Sequence, residues 1–328
     1  MSSNAAQRYR LVVVAPVYDD AVTVPRLLAE LAQAFPREGV ELRVLLVDDG
    51  SPSPLATDLQ AIAVSFPFQV DVLRLRRNVG HQRAIALGTA YLQEHIPCDA
   101  MLVMDADGED RPADAARLVA RCRELSGDRI VFAERTRRSE SPLFLVLYRC
   151  YQLLHWLLTG IPVRVGNFSA VGSRHLAALV ALPALWNHYA AAIFQAQLPR
   201  DLVPTARGQR YGGRSKMNFV ALVTHGLQAL SVFSDVVMVR LLLAVAGLVG
   251  CCGGLLVLTL ATHSHAGLPP LAPYVAGGLL VVALCLAAGC FALSLSLLAQ
   301  RNSLGFIPLR DYRFFIEDLC EVVPRHEP

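Results

Sequence analysis

Asp105-Ala106-Asp107 follows directly on the apolar run Ala100-Met101-Leu102-Val103-Met104, so two carboxylates one residue apart end a strand of buried character. Such a pair can share a divalent cation, and a cation held there can neutralise a diphosphate leaving group. Leu45-Leu46-Val47 runs in the same way into Asp48-Asp49-Gly50-Ser51, a second acidic turn after a second apolar strand. In an open α/β sheet both turns fall on the carboxyl edge of the strands, where ligands bind. A lone Asp-x-Asp is common on surface loops; two acidic turns after two apolar strands are far more specific. Mg²⁺ or Mn²⁺ is satisfied by one or two carboxylates plus substrate phosphates. Asp105 and Asp107 are therefore the metal candidates, with Glu109 as a third ligand and Asp110 as a general base or a support behind the ligands.

Other residues offer complementary chemistry. Pro16, Tyr18 and Asp20 give a rigid backbone, an aromatic face and a carboxylate at the end of the first strand, which suits a nucleotide base or ribose. Asp48 or Asp49 can accept hydrogen bonds from the same groups, and the sequence does not choose between them. Arg135, Arg137 and Arg138 follow the fifth expected strand; Arg207, Arg210, Arg214 and Lys216 form a second basic group, with Ser215 as a hydroxyl donor. The guanidinium fork matches phosphate oxygens. A patch that meets anionic lipid headgroups is the alternative for either group. His81, after Gly80, is a donor near a nucleotide or a helix-start residue with structural duties only. Asn187-His188-Tyr189 receives no role.

The elements that must position these groups are readable from periodicity. Residues 11–15, 42–47, 70–75, 100–104 and 129–133 are short apolar runs, and between them lie helix-like segments at 22–35, 55–64, 82–94 and 113–125. In the first of these Val24, Leu27, Leu28 and Leu31 recur at helical spacing, as packing on a sheet requires. Continuous apolar strands alternating with amphipathic helices predict an α/β fold with a mostly parallel sheet covered on both faces. Residues 142–162 form an aromatic-rich amphipathic stretch, read first as core under the sheet and second as a segment resting on a membrane.

Two later segments differ in kind. Residues 241–262 and 271–299 carry no charge, and a bilayer core needs roughly 20 apolar helical residues. They predict two membrane spans, preceded by an interfacial helix over 217–240. The loop at 263–270 has no lysine or arginine, whereas Arg240, Arg301, Arg310 and Arg313 flank the pair. The positive-inside rule then places the catalytic domain and both termini in the cytoplasm, on the inner membrane. Of the 328 residues 54 % are apolar and 17 % charged, and a net charge of +3 gives no reason to expect nucleic acid as a partner. The eight cysteines form no Cys-x-x-Cys pair and read as small apolar residues in a reducing compartment.

Ala15-Pro16-Val17-Tyr18-Asp19-Asp20, Val47-Asp48-Asp49-Gly50-Ser51, Arg77-Asn78-Val79-Gly80 and Asp105-Ala106-Asp107 resemble, in order and spacing, the motifs of family 2 glycosyltransferases. The match is closest to the dolichol-phosphate-mannose-synthase-like branch, which includes the bacterial polyprenyl-phosphate glycosyltransferases. Gly166-Asn167-Phe168-Ser169 and Gly208-Gln209-Arg210-Tyr211-Gly212-Gly213-Arg214-Ser215-Lys216 resemble later motifs of that branch, and the similarity covers roughly residues 10–235. Two departures stand out: Asp19-Asp20 replaces the family's Asn-Glu, and Glu109 its usual glutamine.

The resemblance implies a GT-A fold over residues 1–216, the interfacial helix at 217–240, spans within 241–300 and a cytoplasmic tail at 301–328. It implies transfer of a sugar, with inversion, from a nucleotide-sugar to undecaprenyl phosphate or another polyprenyl phosphate, assisted by Mg²⁺ or Mn²⁺. UDP-glucose is the first donor expected and GDP-mannose the next. Arg135 is implied to hold the lipid phosphate, and Arg210, Ser215 and Lys216 lie in the phosphate-contacting motif. Bacterial members suggest assembly into homo-oligomers, and no residue here sets a number. One alternative keeps the donor but uses a hydroxyl-bearing lipid or lipid-linked glycan; another is a non-catalytic membrane scaffold that binds nucleotide-sugar.

Overall fold

The computed structural model describes residues 8–36, 39–61, 66–137, 142–212, 219–266, 271–302 and 305–324. The chain forms two compact units, one made of residues 1–145, 164–225 and 305–328, the other of 146–163 and 226–304. β1 (Tyr9–Val17), β2 (Val40–Asp48), β3 (Gln69–Leu75), β4 (Ala100–Val103) and β5 (Ile130–Arg137) alternate with α1 (Val24–Ala34), α2 (Leu55–Ala61), α3 (His81–His95) and α4 (Pro112–Glu124). There follow α5 (Pro142–Thr159), β6 (Val165–Gly172), α6 (Ser173–Val180), α7 (Tyr189–Gln195), β7 (Arg200–Ala206) and α8 (Phe219–Val232). The long helices α9 (Ser234–Ala266) and α10 (Leu271–Asn302) precede a last strand, β8 (Ile316–Val323).

The described strands make one eight-stranded sheet in the order β7-β5-β6-β4-β1-β2-β3-β8. β6 is antiparallel to both its neighbours and β8 is antiparallel to β3; the other pairings are parallel. Alternation along β1 divides its side chains between two helical layers. Leu11, Val13 and Ala15 share a core with Leu27, Leu28 and Leu31 of α1 and with Leu118 and Val119 of α4. Val14 of β1 and Val47 of β2 face α3 instead. A Cβ added at Gly88 of α3 would lie 2.8 Å from Val14 Cγ1 and 2.6 Å from Val47 Cγ2, so this helix rests almost on the sheet backbone.

The five strands expected from apolar runs are present, and three more join them. β6, β7 and β8 lack continuous apolar sequence and take sheet positions through pairing with formed strands. The segment expected as a tail at 301–328 contains one of them: β8 extends the sheet at its β3 edge. The tail is further held by Tyr312, buried against α3, whose hydroxyl donates to Glu94 at 2.6 Å and lies 2.7 Å from His95 Nε2.

In the second unit, Ser234–Leu255 and Gly277–Ser294 are long and apolar enough to cross a membrane, and only 11 % of each window is buried. A core helix of a soluble protein would be mostly buried. The core reading of residues 142–162 does not hold for the described part of α5, where Leu153, Leu154, Trp156 and Leu157 are each at least half exposed. The C-terminus of α5 is closed by Gly160, at φ +79°, whose N–H donates to Trp156 O at 2.7 Å. Arg240 of α9 donates to Leu157 O at 2.9 Å, a cation at the negative end of a helix.

The Gly88 contact gives a first prediction. Gly88→Ala should destabilise the full-length protein by about 1–3 kcal/mol through overpacking against two stiff valines. A fall in apparent Tm in detergent would be the readout; an unchanged Tm would mean that α3 can move off the sheet freely.

Candidate active site

The ends of β4, β1 and β2 are neighbours, with Val14 opposite Val103 and Val17 opposite Asp48. The acidic turns therefore emerge side by side on one edge of the sheet. The turn after β4 is braced from within: Asp105 N–H donates to Asp110 Oδ2 at 3.0 Å, and Glu109 N–H to Asp107 Oδ1 at 2.9 Å. Gly108 takes φ +91°, a conformation that favours glycine, and Pro112 then opens α4.

Residues 207–212 dock on this turn. Gly208 N–H donates to Glu109 O and Tyr211 N–H to Asp107 O, both at 2.8 Å. Any Cβ at Gly208 would collide with the carbonyl oxygen of Gly108, so the approach of the two backbones requires glycine here. Arg210 bridges two acidic turns: Nη1 donates to Asp107 Oδ2 and Nη2 to Asp20 Oδ2, each at 2.9 Å. Arg207 binds Glu109 with both sides of its fork, at 3.0 and 2.7 Å. Tyr211 donates its hydroxyl to Glu30 at 2.7 Å, and the Arg26 guanidinium lies over its ring. Arg135, at the end of β5, donates to Asp110 Oδ1 at 2.9 Å and has Glu109 at 3.8 Å.

α3 supplies the opposite wall. Asp49 accepts from Val79 N–H at 2.7 Å and Gly80 N–H at 2.9 Å, at the positive start of that helix. His81 Nε2 then sits 3.2 Å from Asp105 Oδ1 and 3.2 Å from Asn167 Nδ2. That approach supplies charge without hydrogen-bond alignment: among the described residues, buried Asp105 Oδ1 has no hydrogen-bond partner. Gln82 accepts from Tyr189 N–H at 2.8 Å, joining α3 to the start of α7.

These surroundings shift the carboxyls in different directions. Burial pushes Asp110 up to about 7, with the charge of Asp105 adding and Arg135 opposing. Burial and then the Asp105 charge raise Asp107. Burial raises Asp49 to about 6 against its two N–H donors. For Asp105 burial acts upward too, but His81 and Arg135 outweigh it and the net shift is downward. Carboxyls driven apart in this way can carry different protonation states at one pH.

Asp20, Asp105, Asp107, Glu109, Asp110, Arg135 and Arg210 thus come together at one sheet edge, where spacing alone linked only the carboxylates of the Asp105–Asp110 turn. Tyr18 is exposed at the same edge and Pro16 is buried in β1. Asp48 and Asp49 are buried and do local work: Asp48 accepts from Ser51 and Leu55 N–H groups in its own turn, and Asp49 fixes α3. Ser215 and Lys216, with Arg138 and Arg214, lie outside the described residues. No spacing rule joins Arg207 to Glu109, Asn167 to His81 or His188 to His225. The isolated signals, a histidine after Gly80 and the Asn187-His188-Tyr189 triplet, were present.

Residues 12–176 match the family model described as "Glycosyl transferase family 2". The chain is 26 % identical over 254 residues to the undecaprenyl-phosphate 4-deoxy-4-formamido-L-arabinose transferase of Enterobacter sp. (strain 638), covering 70 % of this chain and 73 % of that protein. It is 27 % identical over 245 residues to the transferase of the same name from Klebsiella pneumoniae, with coverages of 69 % and 71 %. Among solved structures, glucosyl-3-phosphoglycerate synthase from Mycobacterium tuberculosis, in complex with Mn²⁺, UDP-glucose and phosphoglyceric acid, aligns with a TM-score of 0.50. That alignment has 14 % identity over 71 % of this chain and 80 % of the other, a likeness of fold alone.

Asp110 generates a pH prediction. Its folded value of about 7 stands above the ordinary 3.8, so its ionisation disfavours the fold. Stability linked to this group is complete below the ordinary value and is lost as pH rises toward the folded one. Asp110→Asn removes that titration while keeping an acceptor for the Asp105 N–H. The Tm of the variant relative to wild type should rise between about pH 5 and about pH 7.5. A pH-independent difference would show that Asp110 does not titrate in this range.

Proposed function

The chain belongs to glycosyl transferase family 2, and from that premise we propose that it moves a sugar, with inversion, from a nucleotide-sugar to a polyprenyl phosphate at the cytoplasmic face of the inner membrane. It is a glycosyltransferase. The observation that carries the finer reading is the braced acidic turn at Asp105–Asp110, faced by Arg135, Arg207 and Arg210. Undecaprenyl phosphate is the acceptor we propose because both relatives are undecaprenyl-phosphate transferases by name. The exposed apolar helices α9 and α10 are consistent with work on a lipid-bound substrate. The absence of lysine and arginine from 263–270 supports a topology with both termini in the cytoplasm.

Asp105 and Asp107 would hold Mg²⁺ or Mn²⁺. The buried Oδ1 of Asp105, which has His81 at 3.2 Å but no hydrogen bond among the described residues, fits such an ion, which needs few protein ligands when phosphates complete its shell. When bound, the ion neutralises charge on the departing nucleoside diphosphate. Glu109, tied to Arg207, is placed to balance that arginine and is the weaker ligand candidate. Arg210 spans Asp20 and Asp107 and can turn its fork to the diphosphate while remaining at the same edge. Arg135 can offer its remaining N–H groups to an acceptor phosphate.

Asp110 bears on the choice of acceptor. A hydroxyl nucleophile needs a base, whereas a phosphate oxygen is already anionic. Asp110 is 3 % exposed and both its oxygens are engaged, by Asp105 N–H and Arg135. It therefore supports the turn and suits a phosphate acceptor better than a hydroxyl one.

Membranes containing the protein, supplied with undecaprenyl phosphate, a divalent ion and radiolabelled UDP-glucose or GDP-mannose, provide the test. Wild type should form an acid-labile labelled lipid, Asp107→Ala should lose at least about a hundredfold in rate, and chelation by EDTA should be reversed by Mg²⁺ or Mn²⁺. Labelling of a hydroxyl-bearing lipid instead would replace the acceptor, and full function in Asp107→Ala would leave a scaffold.

A further inference from the structure

His188 and His225 form a contact that the reaction described above does not use. Their Nε2 atoms are 3.3 Å apart and their ring centroids 4.7 Å apart. His188 starts α7, and its Nδ1 accepts the Ala191 N–H at 3.3 Å. That bond fixes the tautomer: the His188 proton is on Nε2 and points to Nε2 of His225. The second imidazole must accept there and carry its own proton on Nδ1. Two rings thus share one N–H, and a second proton between them would set like charges in contact unless an anion joined them.

The pair belongs to the active-site wall. Tyr189, next to His188, donates its N–H to Gln82, and Gln82 follows His81, whose imidazole meets Asp105. Burial and then the His81 charge lower His225, with the Asp105 charge opposing, so this ring gains a proton only when an anion stands beside it. His188 is buried, while His225 is partly open to solvent, so an anion can reach the pair from one side. His225 lies in α8, the helix that leads in sequence to α9 and the first apolar span. Burial of two polar rings in mutual contact is costly for packing alone and useful for anion capture.

We propose that His188 and His225 form the second half of the acceptor site and donate two N–H groups to the lipid phosphate, with Arg135 acting on the same group. This deepens the polyprenyl-phosphate reading and rests on it. When the phosphate enters, the shared N–H contact opens, His188 turns its Nε2–H to one oxygen, and His225 takes one proton from solvent at Nε2 and donates it to another. No covalent bond is made or broken. The proton taken up matches the added negative charge, so the pair is a selector for an anionic headgroup over a neutral alcohol.

The test is equilibrium binding of undecaprenyl phosphate, with undecaprenol as the neutral comparison, to the full-length protein in detergent. His225→Gln should weaken undecaprenyl phosphate binding about tenfold, as loss of one charge-assisted hydrogen bond implies, and leave undecaprenol binding and the unfolding temperature unchanged. His188→Gln should weaken phosphate binding to a similar extent and also lower the unfolding temperature through its cap on α7. His225→Lys, which restores a cation, should recover most of the affinity. Wild-type affinity in His225→Gln, alongside a loss in Arg135→Gln, overturns the histidine assignment and leaves the acceptor reading standing. Equal weakening in a folded His225→Lys and His225→Gln also overturns it, since a packing role would do the same. If wild type does not prefer undecaprenyl phosphate to undecaprenol, the acceptor reading itself fails and this assignment with it.

Discussion

The site depends on keeping several carboxylates at one edge of a sheet, partly out of water. Asp105, Asp107 and Asp110 leave β4 within six residues, and burial alone would drive each of them toward the neutral form. The fold answers with fixed donors. Backbone N–H groups within the turn fill one oxygen each of Asp107 and Asp110, and Arg210, Arg135 and His81 bring compensating charge from three other parts of the chain. Breaking one such pair leaves an uncompensated charge, so a single substitution here should reach beyond its own contact. On the proposed reading, the same compensation makes the site responsive. A diphosphate competes with carboxylates for the arginines, and a divalent ion competes with the arginines for carboxylates. The negative charge a diphosphate adds and the positive charge a divalent ion adds would offset each other, so the two together could enter without a large electrostatic penalty.

What was legible in the sequence follows from which interactions are local. β1 to β5 declared themselves because strands covered on both faces are continuous apolar runs. β6 contains Gly166, Asn167, Ser169 and Gly172, and β7 contains Pro204 and mostly exposed side chains, so neither carries that signature. β8 is rich in acidic residues and follows a membrane-type helix, where a polar tail is the natural expectation. Its place is set by pairing with β3, some 250 positions away, as the 252-residue separation of Gln69 and Glu321 illustrates. α5 shows the converse error. Its apolar content suggests a core helix first, because hydropathy cannot say which surface an apolar face will meet.

The site divides in the same way. Asp105, Asp107 and Asp110 were legible because a strand end and a tight turn hold them close in sequence. Their partners were not. Arg210 joins residues 103 and 190 positions away, and no spacing rule reaches across such distances. From their place at a strand end, Asp48 or Asp49 is expected to be able to accept hydrogen bonds from a ligand. Their neighbours explain the different duties observed: Gly50, at φ +71°, turns the chain back so that Asp48 meets Ser51 and Leu55, and the start of α3 arrives at Asp49. An acidic residue at the carboxyl edge can thus serve the ligand or the loop that shapes the ligand's site. The sequence contains the carboxylate in both cases and the direction of the side chain in neither.

The route of the chain adds a last constraint. The first unit is left at residue 225 and re-entered at residue 305, with both long apolar helices between. Re-entry is secured twice, by Tyr312 against Glu94 and His95 and by the pairing of β8 with β3. Phe306 and Phe315 pack on Trp186, and Arg83 lies 5.0 Å from the Trp186 ring. Arg83 is two residues from His81, and Trp186 is two residues from His188. The tail therefore braces both segments that carry His81 and His188. A catalytic unit tethered at one point would leave those walls to its own packing; tethered at two, it has them fixed by the chain that returns from the apolar helices. On the proposed reading, a lipid acceptor gains from that arrangement, because the residues proposed to meet the headgroup are held by the same segment that follows the long apolar helices.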